Sequence, residues 1–195
     1  MYDHKEILTK WLRVLFYAQI AGIVLTVINM VTYLDNITAW ISKAIAVACI
    51  WSLFQIQEAN PRYRSAAIAK AAVLVCGLLT TPVNSSAVGL SSILALVGGI
   101  ASWIASYQEY HAHGELVAEA DEKLAKKWNG LFLKEVLVSL GISAFSVVGT
   151  IAMVGAGILS SNITTVVLTV FNGCLLVIEG LYLLYMKQTL ALLEA

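Results

Sequence analysis

The sequence predicts an all-α, polytopic membrane protein: a bundle of six transmembrane helices with a short cytoplasmic amphipathic helix between the fourth and the fifth. Hydrophobic residues make up 59% of the 195-residue chain and charged residues only 12%, whereas soluble domains average about half apolar and about 25% charged. The apolar residues also fall into six segments close to the length of about 20 residues that a hydrocarbon core of about 30 Å requires. We therefore expect one membrane domain that covers residues 1–195.

The predicted spans are separated by short polar or turn-forming segments. Pro61 is expected to end the second span, because proline cannot continue a helix. The third span is short and carries Lys70 in its first turns, where a lysine side chain can extend to the lipid headgroups. The fifth is long enough to tilt or to protrude from the membrane. The six spans are expected at residues 11–33, 37–57, 65–80, 88–107, 131–159 and 163–185.

The segment 106–128, SYQEYHAHGELVAEADEKLAKKW, interrupts this apolar pattern with a dense run of charges. Gly114 predicts a bend, because glycine weakens a helix by about 1 kcal/mol relative to alanine. Beyond it, Leu124 and Trp128 belong to an apolar stripe with a spacing of four residues. This spacing predicts an amphipathic helix over 115–128 that lies along the inner membrane surface. A helix that docks on a partner protein would carry the same stripe.

The basic residues predict the orientation of the chain. Eleven of the twelve lysines and arginines lie at or near one side of the predicted bundle, and only Lys43 lies near the other. Basic residues accumulate on the cytoplasmic side of membrane proteins. We therefore expect both termini in the cytoplasm and the chain in the plasma (cytoplasmic) membrane.

Four polar residues inside the predicted spans are the candidates for binding or coupling a substrate: Gln19, Asn29, Asn172 and Glu179. A charge at the centre of a membrane costs about 2.5–3.5 kcal/mol on insertion scales, so such residues face a partner or water. Gln19 and Arg13 are the expected neighbours of Glu179, if the first and sixth helices adjoin. Two interpretations stay open: a polar pocket or an ion or proton path, and a glutamate that only joins two helices by hydrogen bonds.

A weaker pattern points to a metal site formed by Glu109, His111 and His113. Glu109 and His113 are four residues apart, a spacing that can place a carboxylate and an imidazole on one divalent ion. The two histidines, however, are two residues apart and would point to different sides of a helix. The competing interpretation is a solvated helix end whose histidines respond to pH.

The net charge and the motifs of the sequence exclude some classes of function but do not indicate a specific one. The net charge is zero, which gives no attraction to nucleic acid, and no motif indicates an enzyme or a cofactor. We expect a transporter or a membrane substrate-binding subunit, with the lipid bilayer and a small molecule or ion as its partners. The alternatives are a structural or regulatory membrane protein that acts through a homo-oligomer or a membrane partner, and a metal-dependent membrane enzyme.

Overall fold

A computed structural model describes residues 2–32, 35–80, 88–156 and 161–194. Within these ranges the chain forms six α-helices and no β-strand, which confirms the predicted all-α class. The helices are α1 (Tyr2–Thr32), α2 (Asp35–Gln55), α3 (Pro61–Thr80), α4 (Val88–Val117), α5 (Glu122–Ala156) and α6 (Ser161–Glu194).

The six helices form a closed ring. Each helix packs against the next one in the chain, and α1 also packs against α6. The contact between α3 and α4 is the most extensive, and buried alanines lie on both helices: Ala66 and Ala67 on α3, and Ala101, Ala105 and Ala112 on α4. Small residues let helix backbones approach closely inside a membrane, so these alanines account for the tight pairing.

The two ends of the ring differ in what they carry. The terminal end holds the start of α1, the end of α6, and the α2–α3 and α4–α5 turns, whereas the distal end holds the opposite ends of the same helices. At the terminal end, Arg13 Nη2 lies 2.8 Å from Glu194 Oε1 and ties α1 to α6. Arg62 Nε lies 2.8 Å from Glu115 Oε1 and ties α3 to α4.

Five helices contain a stretch that is long and apolar enough to cross a membrane, counting only the residues that the structure describes. The stretches are Lys5–Asn29, Ile37–Gln55, Pro61–Thr80, Leu90–Val117 and Gly173–Glu194. Large apolar side chains also cover the outside of the ring: Trp40, Leu96 and Val177 are 69%, 65% and 64% exposed. The predicted span 131–159 is not among the five, and its residues 157–159 lie outside the described ranges.

The predicted amphipathic helix over 115–128 is wrong. Helix α4 continues through Gly114 to Val117, the chain turns at residues 118–121, and α5 then starts at Glu122. The Asp121 Oδ1 atom accepts a hydrogen bond of 2.9 Å from the Leu124 amide, which caps the start of α5. The apolar stripe packs inside the ring instead of on a membrane surface, since Leu124 and Trp128 are 1% and 0% exposed. The same burial removes the stripe as a docking surface for a partner protein.

Gly114 serves a close helix crossing and not the predicted bend. A Cβ atom at this position would lie 2.8 Å from the Asn129 Oδ1 atom and 3.3 Å from the Ala125 carbonyl oxygen. A larger residue would require the Asn129 side chain and the Ala125 carbonyl oxygen to move, so glycine favours this close approach of α4 to the first turns of α5.

The start of α3 also differs from the prediction. Helix α2 ends at Gln55, two residues before the predicted end at residue 57, and Pro61 is the first residue of α3, four residues before the predicted start at residue 65. Proline suits a first helical position, because it has no amide hydrogen to leave unpaired. The Asn60 Oδ1 atom accepts a hydrogen bond of 2.9 Å from the Arg62 amide and caps the helix. Lys70 consequently lies nine residues into α3 and not at a helix end.

Candidate functional site

A cavity of about 170 Å³ lies inside the ring, on the distal side of a packed core. The core contains buried apolar side chains from all six helices and fills the terminal end. Residues of α1, α3, α4, α5 and α6 line the cavity. Its charged and amide side chains are Gln19, Lys70, Glu109, Glu135 and Glu179.

A buried ion pair forms one wall of the cavity. The Lys70 Nζ atom lies 2.8 Å from Glu109 Oε2, and the side chains are 25% and 2% exposed. The second carboxylate oxygen, Oε1, accepts a hydrogen bond of 2.7 Å from the Tyr182 hydroxyl. Because both oxygens accept hydrogen bonds, Glu109 is held as a carboxylate.

His113 lies behind this pair, within the core. Its side chain is fully buried, and its Nε2 atom lies 3.5 Å from the Tyr182 hydroxyl oxygen. Its other ring nitrogen, Nδ1, lies 2.8 Å from the Tyr63 hydroxyl oxygen. The Trp128 ring packs against the imidazole with 4.6 Å between centroids. The Trp128 Nε1 atom donates its hydrogen to Thr189 Oγ1 at 3.1 Å, so it does not compete for the histidine nitrogens.

Glu135 forms the opposite wall. It accepts a hydrogen bond of 2.8 Å from Ser106 Oγ at one oxygen and one of 2.5 Å from the Tyr110 hydroxyl at the other. Each oxygen of the Glu135 carboxyl group therefore has one hydroxyl donor.

Two of the predicted site residues, Gln19 and Glu179, line this cavity together. Among the described residues, neither side chain has a hydrogen bond or an ion pair. Arg13, the other neighbour expected for Glu179, instead pairs with Glu194. The first and sixth helices therefore adjoin as required, but among the described residues that line this cavity the only lysine or arginine is Lys70 of α3.

A third predicted residue, Asn29, does not line the cavity. Asn29 lies ten residues beyond Gln19 on α1, about 15 Å along the helix axis. Its buried Oδ1 atom has no hydrogen-bond partner in the described part of the chain. Asn172 belongs to α6, but its side chain lies outside the described residues.

The structure does not bring Glu109, His111 and His113 together as a metal site. The His111 Nδ1 atom lies 2.9 Å from the Tyr107 carbonyl oxygen, and its ring packs against Tyr107 with 4.1 Å between centroids. His113 Nε2 and Glu109 Oε1 are 3.9 Å apart inside the core. Across the described ranges, no three His, Cys, Asp or Glu side chains are grouped as metal ligands would be.

A second, larger chamber of about 580 Å³ adjoins the cavity. Gln19, Lys70 and Ser106 line both spaces and form the boundary between them. The chamber extends towards the distal end, because Ala39 lies in the second turn of α2 and Gly77 lies in the last turn of α3. Most of its lining is apolar, and Lys43 is its second charged residue besides Lys70.

Sequence reasoning missed Lys70, Glu135 and Tyr182 as cavity residues. The apolar segments alone locate the middle of a helix and not its first turns, so the sequence predicts Lys70 near the start of the third span. The signal was present in Glu109 and His113, which share one face of α4: Glu109 lines the cavity, and His113 lies behind it in the core.

Comparison of the chain with models of protein families, with curated proteins and with solved structures finds no match. Fold and cavity therefore define the class of protein by themselves. It is a ring of six helices, five of them able to span a membrane, around a cavity that holds one lysine and three glutamates among its described residues.

Proposed function

We propose that the chain is a small membrane transporter, or a substrate-binding membrane subunit, for an organic cation with an apolar body. In this proposal all six helices cross the plasma membrane, and both termini are cytoplasmic. The concentration of lysine and arginine at the terminal end supports this orientation. Lys70 does not count towards it, because its ammonium group is paired inside the ring.

The observation that carries the proposal is the unpartnered Glu179 in a cavity with excess acid. Lys70 is offset by Glu109 at 2.8 Å, which leaves Glu135 and Glu179 without a positive partner among the described residues. A carboxylate at membrane depth requires a counter-charge or water. A positively charged group in the cavity supplies that counter-charge, whereas an anion would add a further negative charge.

The adjoining chamber supports an organic cation over a bare metal ion. Apolar residues such as Ala46, Cys49 and Leu74 line it, and its volume of about 580 Å³ lies in the usual range for small-molecule sites. Lys43 sets the direction of the ligand: its Nζ atom lies 4.4 Å from the centroid of the Trp40 ring, on the distal side of the chamber. A positive head group therefore binds away from Lys43, near Glu179.

A pair of ligands with opposite charges tests the proposal on the unmodified protein. Benzyltrimethylammonium and phenylmethanesulfonate carry the same apolar ring, so their difference reports the sign of the site. Calorimetry on the purified protein in detergent should detect binding of the cation and none of the anion. Equal binding of both ligands would refute a cation site. Potassium that displaces the organic cation at equal concentration would indicate an inorganic ion site instead.

A charge-removing substitution locates the site. Glu179→Gln should weaken binding of benzyltrimethylammonium at least tenfold, which corresponds to about 1.4 kcal/mol, while Glu179→Asp should retain most of it. Glu122→Gln is the matched control, because Glu122 is exposed at the terminal end and pairs with Lys126. Unchanged affinity in a folded Glu179→Gln protein would contradict the proposal. A chain that binds neither ligand and only self-associates would favour the structural alternative.

A further inference from the structure

We infer that the bound cation exchanges with one proton, and that this proton moves between Glu109 and Tyr63, on the terminal side of the core, through Tyr182 and His113. The inference rests on the proposed cation site and adds an ion-coupling step to it. It starts from a continuous row of four hydrogen-bonding side chains that leads from the cavity into the core.

The donors in this row all point the same way. The Tyr182 hydroxyl donates to the Glu109 carboxylate at 2.7 Å, so the Tyr182 oxygen is free to accept from His113 Nε2 at 3.5 Å. With the hydrogen on Nε2, the Nδ1 atom accepts from the Tyr63 hydroxyl at 2.8 Å. Three hydrogens therefore point in sequence from Tyr63 towards Glu109.

Among the described residues, both ring nitrogens of His113 form hydrogen bonds only with members of this row, Tyr63 and Tyr182. Tyr63 of α3 and Tyr182 of α6 contact the nitrogens, and Glu109 lies one turn earlier on the same helix. Trp128 of α5 covers the ring face and sends its own hydrogen to Thr189. The nearest positive charge is the Lys70 ammonium, which is on the far oxygen of Glu109.

The transfer conserves every atom. A proton that reaches the Tyr63 oxygen lets each hydrogen in the row move one place. The Tyr63 hydrogen moves to Nδ1 of His113, the Nε2 hydrogen moves to the Tyr182 oxygen, and the Tyr182 hydrogen moves to Oε1 of Glu109. Tyr63, His113 and Tyr182 stay neutral, and Glu109 becomes a carboxylic acid. The net result is the movement of one proton, and no covalent bond between heavy atoms changes.

Lys70 couples this proton to the cation. Once Glu109 is neutral, it no longer offsets the ammonium of Lys70, which lines the same cavity as Glu135 and Glu179. The ammonium then competes with the bound cation for those two carboxylates. A cation that binds there returns Lys70 to Glu109, and Glu109 must release its proton. The structure has Lys70 on Glu109 and Glu179 without a partner, which corresponds to the state ready for the cation.

The two ions approach from opposite ends of the ring. The cavity continues into the chamber that extends to the distal end. Tyr63 is the third residue of α3 at the terminal end. Between the two lies the packed core, where Trp128 and Tyr63 are 0% exposed. In this arrangement the core blocks a solute, whereas a row of hydrogen-bonding side chains can carry a proton.

Proton release on binding is the first test. Benzyltrimethylammonium carries a permanent charge and cannot exchange a proton itself. When it saturates the protein in weakly buffered detergent solution, a pH indicator should report release of about one proton per chain in a pH range where Glu109 is protonated before binding. Binding with no proton release at any pH would overturn the inference while leaving the cation site intact. A failure of the cation site itself would appear as no binding.

Uptake into proteoliposomes tests the path. In a one-for-one exchange, a lumen that is one pH unit more acidic supports up to about tenfold accumulation of the cation. His113→Gln should abolish this stimulation by the pH gradient, and so should the isosteric Tyr63→Phe, which removes only a hydroxyl group. His111→Gln is the matched control and should keep the stimulation, because His111 binds a backbone carbonyl outside the row. Stimulation that survives in both His113→Gln and Tyr63→Phe, or that is lost equally in His111→Gln, would refute the path.

Discussion

The two ends of the helix ring are built differently. At the terminal end, side chains from all six helices interlock, and Trp128, Met186 and Tyr63 are completely buried. Towards the distal end, few of the described residues are buried, Leu25 and Thr38 among them, and the chamber separates α2 from α3 and α4. The charged cavity lies at the border between the two regions.

This difference indicates which end of the ring contributes more to the stability of the molecule. Tight packing at the terminal end supports the cavity walls, because Tyr110, Ile178 and Tyr182 belong both to the core and to the lining of the cavity. The distal half has fewer interactions to lose, so it can change its packing at a lower cost. Substitutions at the two ends should therefore have unequal effects.

The largest effect is expected for Trp128→Ala. Removal of this ring leaves a void among His113, Tyr182 and Tyr185 and deletes the hydrogen bond to Thr189. Truncation of a buried tryptophan costs about 3–5 kcal/mol, which should appear as a large drop in the unfolding temperature in detergent. The control is Val97→Ala, at a side chain that is 47% exposed, where about 0.5 kcal/mol or less is expected. Equal losses in the two variants would remove the contrast between the ends.

A smaller loss is expected for Lys70→Met at the border. The substitution leaves Glu109 as a buried carboxylate without its cation, which costs about 3 kcal/mol, the low end for broken buried pairs, because Lys70 is 25% exposed. The double variant Lys70→Met with Glu109→Gln should recover most of the loss, because it removes both charges. Chemical denaturation of the three proteins measures this coupling. A double variant that is as unstable as the single one would show that the pair is not the source of the loss.

Two glycines of α4 compare the ends directly. Gly114→Ala should destabilise the protein by about 1–3 kcal/mol, because the new methyl group would press on Asn129 and on the Ala125 carbonyl oxygen. Gly99→Ala meets nothing within 4 Å, so it should be neutral or should stabilise the helix by up to about 1 kcal/mol. Thermal unfolding of both variants in one detergent checks the sign of each change. A stable Gly114→Ala protein would mean that α5 can move away from α4.

The smallest effect is expected for Arg13→Gln. The pair of Arg13 and Glu194 is at the terminal end, but its side chains are 55% and 44% exposed. Exposed pairs contribute about 0–1 kcal/mol and are screened by salt. The difference between the variant and the natural protein should therefore shrink in high salt. A loss above 2 kcal/mol that is independent of salt would show that α1 and α6 depend on this pair for ring closure.

The sequence predicts the helical class and two cavity residues, Gln19 and Glu179, because hydropathy reveals polar residues within apolar segments. It does not reveal where each helix starts. Helix α5 begins at Glu122, so Glu135 lies thirteen residues, or about 20 Å, into the helix instead of at its end. That start depends on the Asp121 cap and on the close crossing at Gly114, which are tertiary features.

The buried charges of the cavity also depend on contacts between helices that a single sequence does not reveal. Glu109 resembled a metal ligand because of its histidine at four residues, and Lys70 resembled an interfacial lysine. The role of each residue becomes clear only from the other. They are 39 positions apart in the chain and come into contact because α3 and α4 pack together. Packing geometry determines which residues of different helices pair, and the residue pattern of one helix does not indicate those pairs.

Because α6 closes the ring against α1, the cavity can form only after α6 has been synthesised. Lys70 and Glu109 can pair as soon as α3 and α4 have both entered the membrane, so their charges are neutralised early. Tyr182 and Glu179 belong to α6 and therefore arrive only with that helix. Tyr182 donates the hydrogen bond to the second oxygen of Glu109, and Glu179 gives the cavity its unpaired carboxyl group. A nascent chain that stops after α5 would thus contain the ion pair but lack the cavity wall that α6 provides.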